Sequence, residues 1–209
     1  MSTDTFLSFL LFAFVTAITP GPNNILLMTS GVNHGFRKTI PHLLGVTFGF
    51  AMLVLSAGLG LNELFSRFPA IYQVMKWFCA VYFVYLAWRL STAPSAAMTT
   101  ATTASSPRAA WRFRDGVAFQ WINPKGWIMA IGTFSSYVPA VGGAHLVIGT
   151  ALLFALICFP SFIVWVTFGS QMRRYLEQGN RRRVFNTGMA LLLLSSLIPL
   201  FAGGSMHGG

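Results

Sequence analysis

Long apolar runs alternate along the chain with short polar segments that carry nearly all of its charge. No Asp, Glu, Lys or Arg occurs between Asp4 and Arg37, from Thr39 to Asn62, from Gly126 to Met172, or from Val184 to the C-terminus. A helix needs about 20 predominantly apolar residues to cross a bilayer. The pattern therefore predicts six spans, at about 5–30, 39–60, 70–90, 113–137, 145–169 and 184–202. Lys76 interrupts the third run near one end, where its stem can reach the interface. The stretch "STAPSAAMTTATTASSPRAA" (91–110) is rich in Ser, Thr, Ala and Pro and reads as a linker.

The expected fold is an all-α integral membrane protein. Residues 1–90 would form a first three-helix repeat, 91–112 a cytoplasmic linker, and 113–209 a second three-helix repeat with a short flexible tail. Three spans is an odd number, so the two repeats cross the membrane in opposite senses. Each repeat breaks its own first span at a matching place: "TPGPNN" (19–24) in one and "INPKGW" (122–127) in the other. Interrupted helices at corresponding positions of inverted halves point to a transporter's binding site. Pro41 and Pro160 read instead as ordinary kinks.

The breaks have a chemistry. A proline within a helix displaces the carbonyl four residues earlier, which here would free Thr16, Ile18 and Gln120. Such groups must face protein, water or a ligand when inside a bilayer. Gly21 would supply the backbone angles of the break. Thr19-Pro20 and Asn123-Pro124 each read as an N-cap followed by proline at the first helical position. A helix N-terminus favours an anion such as a carboxylate. Lys125, roughly 17 Å along a helix from Arg114 at about 1.5 Å per residue, falls near mid-membrane and adds a cation. Displaced carbonyls and the amides of Asn23, Asn24 and Asn123 suit an ammonium. The expected ligand is a small zwitterion, held by Thr19, Pro20, Gly21, Pro22, Asn23, Asn24, Asn123, Pro124 and Lys125.

Composition agrees with this class. The chain is 55% hydrophobic and 9% charged, against about 25% charged in soluble domains. The net charge of +10 reads as topology rather than nucleic-acid binding. Eleven Lys or Arg residues flank the first, third and fifth loops, against Arg67 and Lys76 on the other side. Positive-inside logic then puts those loops in the cytoplasm and both termini outside. The N-terminal segment has Asp4 and no basic residue, unlike a cleaved signal peptide. No nucleotide loop, haem motif or metal-spaced His/Cys cluster occurs, so no cofactor, metal or enzymatic activity is expected.

"TPGPNN" with the downstream "HGFRK" (34–38), together with "NPK" (123–125), resembles the LysE/RhtB family of amino-acid exporters. Residues 16–38 look closest to its cysteine/O-acetylserine branch. Pro20, Gly21, Pro22 and Asn23 match the first family motif; Asn123, Pro124 and Lys125 match the second. The resemblance implies a six-span secondary exporter of the inner membrane, driven by the proton motive force.

Candidates for a proton relay are His42, inside the second span, and Asp115, opening the fourth. Gly45 and Gly49 form a GxxxG pair that serves either a homodimer or, as expected here, packing within the chain. A cation exporter or channel is the alternative function, though such sites prefer carboxylates and none lies mid-run. A thiol relay is the other: Cys79 and Cys158 are expected away from the breaks and form no CxxC pair.

Overall fold

The computed structural model describes residues 2–61, 67, 69–92, 110–139, 143–176, 180–198 and 201. Most of the expected linker, the end of the sixth run and the tail lie outside these residues. Among the described residues the fold is all helical. In chain order the helices are α1 (Thr3–Ile18), α2 (Pro22–His34), α3 (Phe36–Ser56), α4 (Pro69–Ser91), α5 (Phe113–Ile122), α6 (Pro124–Ser136), α7 (Gly143–Leu176) and α8 (Arg181–Ser195). A π-helical turn, Ala57–Leu61, extends α3.

Both expected interruptions are real breaks. α1 and α2 bend by 46° across Thr19–Gly21, and Asn123 alone separates α5 from α6. Pro41 and Pro160 sit inside continuous helices, α3 and α7. Phe36–Gly60 and Gly143–Leu176 are each long and apolar enough to cross a membrane, and α1 with α2 counts as a third crossing if taken as one span. The other three expected spans coincide with α4, the α5–α6 pair and α8, which do not meet that standard over their described residues. In α4, Lys76 and a run of Tyr and Trp dilute the apolar character, and α8 has only 15 residues. Of the arginines that open α8, Arg181 lies over the Tyr175 ring at 4.4 Å and Arg182 is buried.

Glycine decides which helices touch backbone to backbone. A Cβ on Gly45 would run into the Phe113 carbonyl, and one on Gly49 would lie 2.7 Å from the Val117 Cα. From the facing side, a Cβ on Gly116 would lie 2.7 Å from the His42 carbonyl oxygen and the Val46 nitrogen. The GxxxG pair therefore seats α5 on α3 within one chain. A second seam joins α2 to α7. There a Cβ on Gly31 would meet the Val166 carbonyl at 2.6 Å, and one on Gly169 would strike that of Met28. Backbones this close gain dispersion contacts that larger side chains would forbid.

Two apolar clusters fill the interior. Phe9, Leu27, Phe50, Leu53, Phe154 and Phe162 join α1, α2, α3 and α7, with Trp127 from α6. Ile25, Leu26, Phe83, Leu86, Phe119 and Leu193 join α2, α4, α5 and α8. α2 belongs to both clusters and is buried along almost its whole length. The breaks at its start and between α5 and α6 thus lie where the clusters meet.

Candidate functional site

Each break stops one helix and starts another, and a proline marks each restart. Pro22 opens α2 and Pro124 opens α6, a position where a missing N–H is no loss. Asn123 caps α6 as expected, its Oδ1 accepting the Lys125 N–H at 3.2 Å. Thr19 departs from expectation. It closes α1, its hydroxyl donating back to the Val15 carbonyl, while Gly21 stands uncapped at the head of α2. The cause is the second proline. Pro20 forces Thr19 into an extended conformation (φ −60°, ψ 132°), and the helix resumes only at Pro22.

Gly21 also has a different role from the one expected. Its φ of −162° and ψ of 178° are extended values open to any residue. What lies against it is the end of a lysine: a Cβ would sit 2.7 Å from Lys125 Cδ and 3.0 Å from Lys125 Nζ, so the glycine leaves room for the path this side chain takes.

The carbonyls that receive side-chain donors belong to whole last turns. Ala17 accepts Asn24 Nδ2 and Ser161 Oγ, each at 2.9 Å. Thr19 accepts Asn24 Nδ2 at 3.0 Å and Lys125 Nζ at 2.7 Å. At the second break Trp121 accepts Trp127 Nε1 at 3.0 Å, and Ile122 accepts Cys79 Sγ at 2.8 Å. Gln120, expected to be freed, instead accepts the Asn123 N–H at 3.2 Å. A kink in a continuing helix frees one carbonyl; a helix that stops leaves its last four without helical partners.

Two bridges tie the breaks together. Lys125 reaches from the first turn of α6 to the Thr19 carbonyl at the end of α1. Asn23 and Gln120 exchange amide bonds, Nδ2 to Oε1 at 2.8 Å and Nε2 to Oδ1 at 3.0 Å, and Gln120 also donates to the Gly116 carbonyl at 3.0 Å. Gln120 was missed at the sequence level, although an amide inside an apolar run one turn before "NPK" was a usable signal.

Between the bridges lies a cavity of about 20 Å³. Asn23, Asn24, Asn123 and Lys125 give it polar walls, and Phe50, Met129 and Phe162 give it apolar ones. Such a volume suits roughly one water molecule. Both contacts of Asn24 Nδ2 are to carbonyls, which fixes the amide orientation and leaves its Oδ1 buried with no hydrogen-bond partner among the described residues. The site thus offers acceptors, Asn24 Oδ1 and the Thr19 carbonyl, beside donors, Lys125 and the uncapped positive end of α2. Pro20 is exposed at the edge of the break.

The cysteines are nearer than expected: Cys158 lines the cavity, and Cys79 bonds at the second break. They sit there because α4 and α7 pack against the broken helices, a neighbourhood that spacing along the chain does not reveal. The relay candidates lie apart from the cavity. His42 is fully buried and stacks on Trp111 at 5.0 Å between ring centroids, with no hydrogen-bond partner for either nitrogen among the described residues. Asp115 caps α5, accepting the Arg112 N–H at 2.8 Å. Among the described residues no three His, Cys, Asp or Glu side chains gather as a metal site would require.

Comparison with known proteins adds an independent line. The family model described as "LysE type translocator" matches residues 14–202. A cysteine/O-acetylserine efflux protein of Escherichia coli is 32% identical over 202 residues, covering 95% of this chain and 99% of the relative. Its namesake in Salmonella choleraesuis is 32% identical over 198 residues, covering 93% and 96%. The Salmonella typhimurium protein of that name matches to the same extent, 32% over 198 residues. No solved structure matches the chain.

Proposed function

The chain belongs to the LysE-type translocator family, and on that premise we propose that it exports small zwitterionic amino acids or their derivatives across the inner membrane. It is a membrane translocator, not an enzyme. Cysteine, O-acetylserine and other small neutral amino acids are the proposed substrates, in keeping with the names of its relatives.

One observation carries this reading: Lys125 of one break bonds to the Thr19 carbonyl of the other at 2.7 Å. The discontinuities therefore form a single polar pocket rather than two separate kinks. Lys125 and the head of α2 would hold the carboxylate. Asn24 and the Thr19 carbonyl would hold the ammonium, with Asn23, Asn123, Gly21 and the three prolines Pro20, Pro22 and Pro124 shaping the pocket. Phe50, Met129 and Phe162 give the pocket its apolar walls, which suit a small uncharged side chain once the site opens.

The proposed membrane arrangement is six spans in two inverted repeats, with both termini periplasmic. Its support is the packing of α4 on α8, the last helices of the two halves, together with the basic loops. Proton coupling is the proposed driving force. His42 is the better relay candidate, because Asp115 is already engaged at its helix cap.

The test is flux of labelled O-acetylserine and cysteine in proteoliposomes under an imposed pH gradient. Saturable, gradient-dependent flux supports the proposal. Ungated ion current or divalent-cation flux, without amino-acid movement, overturns it.

A further inference from the structure

A cation already occupies the acceptor side of the pocket. Lys125 Nζ donates to the Thr19 carbonyl at 2.7 Å, the same group assigned above to a substrate ammonium. Its stem passes so close over Gly21 that a Cβ there would lie 2.7 Å from Lys125 Cδ. The remaining cavity, about 20 Å³, admits roughly one water and no amino acid. Whatever binds must first move this side chain.

The lysine also sits where its charge is poorly placed. Gly21 heads α2, whose N-terminus carries partial positive charge and no side-chain cap. An anion arriving there would meet the helix end and the ammonium together, and would draw the lysine away from Thr19. Asn24 is anchored on that same carbonyl, which leaves its unpartnered Oδ1 beside the place vacated.

From this geometry we infer that Lys125 is a tethered stand-in for the substrate's ammonium, released from the Thr19 carbonyl only when a carboxylate takes it. The inference rests on the zwitterion reading of the site and predicts that such a site rejects simple amines. A compound with an ammonium but no carboxylate finds its seat filled and brings nothing to empty it. A zwitterion does both: its carboxylate pairs with Lys125, and its ammonium inherits Thr19 and Asn24. No covalent bond changes; one hydrogen-bonded cation replaces another.

Two measurements on purified protein in lipid nanodiscs test this, with ethylamine, propionate and O-acetylserine as probes. In the unaltered protein, saturating propionate is expected to tighten ethylamine binding about tenfold or more, the scale of ordinary coupling between sites. In Lys125→Met, ethylamine is expected to bind about tenfold tighter than to the unaltered protein without propionate, while O-acetylserine binding weakens by at least as much. The inference is overturned if propionate leaves ethylamine affinity unchanged, or if a folded Lys125→Met variant gains none. Failure of the unaltered protein to bind O-acetylserine would overturn the transport reading itself. Normal O-acetylserine binding without the amine effects would remove the stand-in alone.

Discussion

Lys125 is asked for more than any other residue, and its removal should show it. Lys125→Ala is expected to abolish amino-acid flux while membrane insertion stays normal, checked by proteoliposome transport beside quantified protein. Unchanged flux would end its carboxylate role. Gln120→Leu strands the Asn23 amide in a half-buried site, at a cost toward the lower end of about 1–3 kcal/mol. It should lower the melting temperature in detergent and raise the KM for export. His42→Gln keeps a polar group of similar reach but removes the titrating ring. It should leave counterflow intact and erase the dependence of flux on a pH gradient, if the relay runs there.

Individual residues were unevenly legible. The prolines and Asn123 announced themselves, because helix breaks and caps are local events. The contact of Lys125 with Thr19 spans 106 positions, so no local pattern could place one on the other. The same distance hid what lies against Gly21. It looked like a backbone requirement, and instead it leaves space for the end of Lys125. Thr19 failed as a cap because two prolines separated by one residue shift the restart to the second.

At the scale of elements, the seams of close approach matter as much as the breaks. Gly116→Val would force α3 and α5 apart, and Gly169→Val would do the same to α2 and α7. Overpacking of this kind costs typically about 1–3 kcal/mol, more when backbone must move. Each variant should melt well below the parent in detergent, whereas Gly149→Val, whose Cβ meets open space, should not. Pro20→Ala and Pro124→Ala relieve the obstacles to helix continuation and should impair transport. Normal flux in both would reduce the breaks to kinks. The apolar runs were readable because lipid demands them, and the GxxxG pair was rightly expected to pack within the chain. Its partner Gly116 lies in the other half, beyond any spacing rule. α4 and α8 were readable as helices yet fall short of a clear crossing, since aromatic and short segments blur hydropathy.

At the scale of the whole molecule, geometry joins the two halves. Two half-chains each contribute a broken helix, and α2, buried on nearly all sides, holds the junction between two apolar clusters. Both breaks therefore should respond to the same ligand. The most direct measurement places single cysteines at Thr16, on the α1 side of the cavity, and at Met129, on the α6 side, in a background with Cys79 and Cys158 replaced by serine. Alkylation of each is followed against increasing O-acetylserine. One shared site predicts protection of both positions with the same half-saturating concentration. Protection of only one, or two clearly different concentrations, would contradict it.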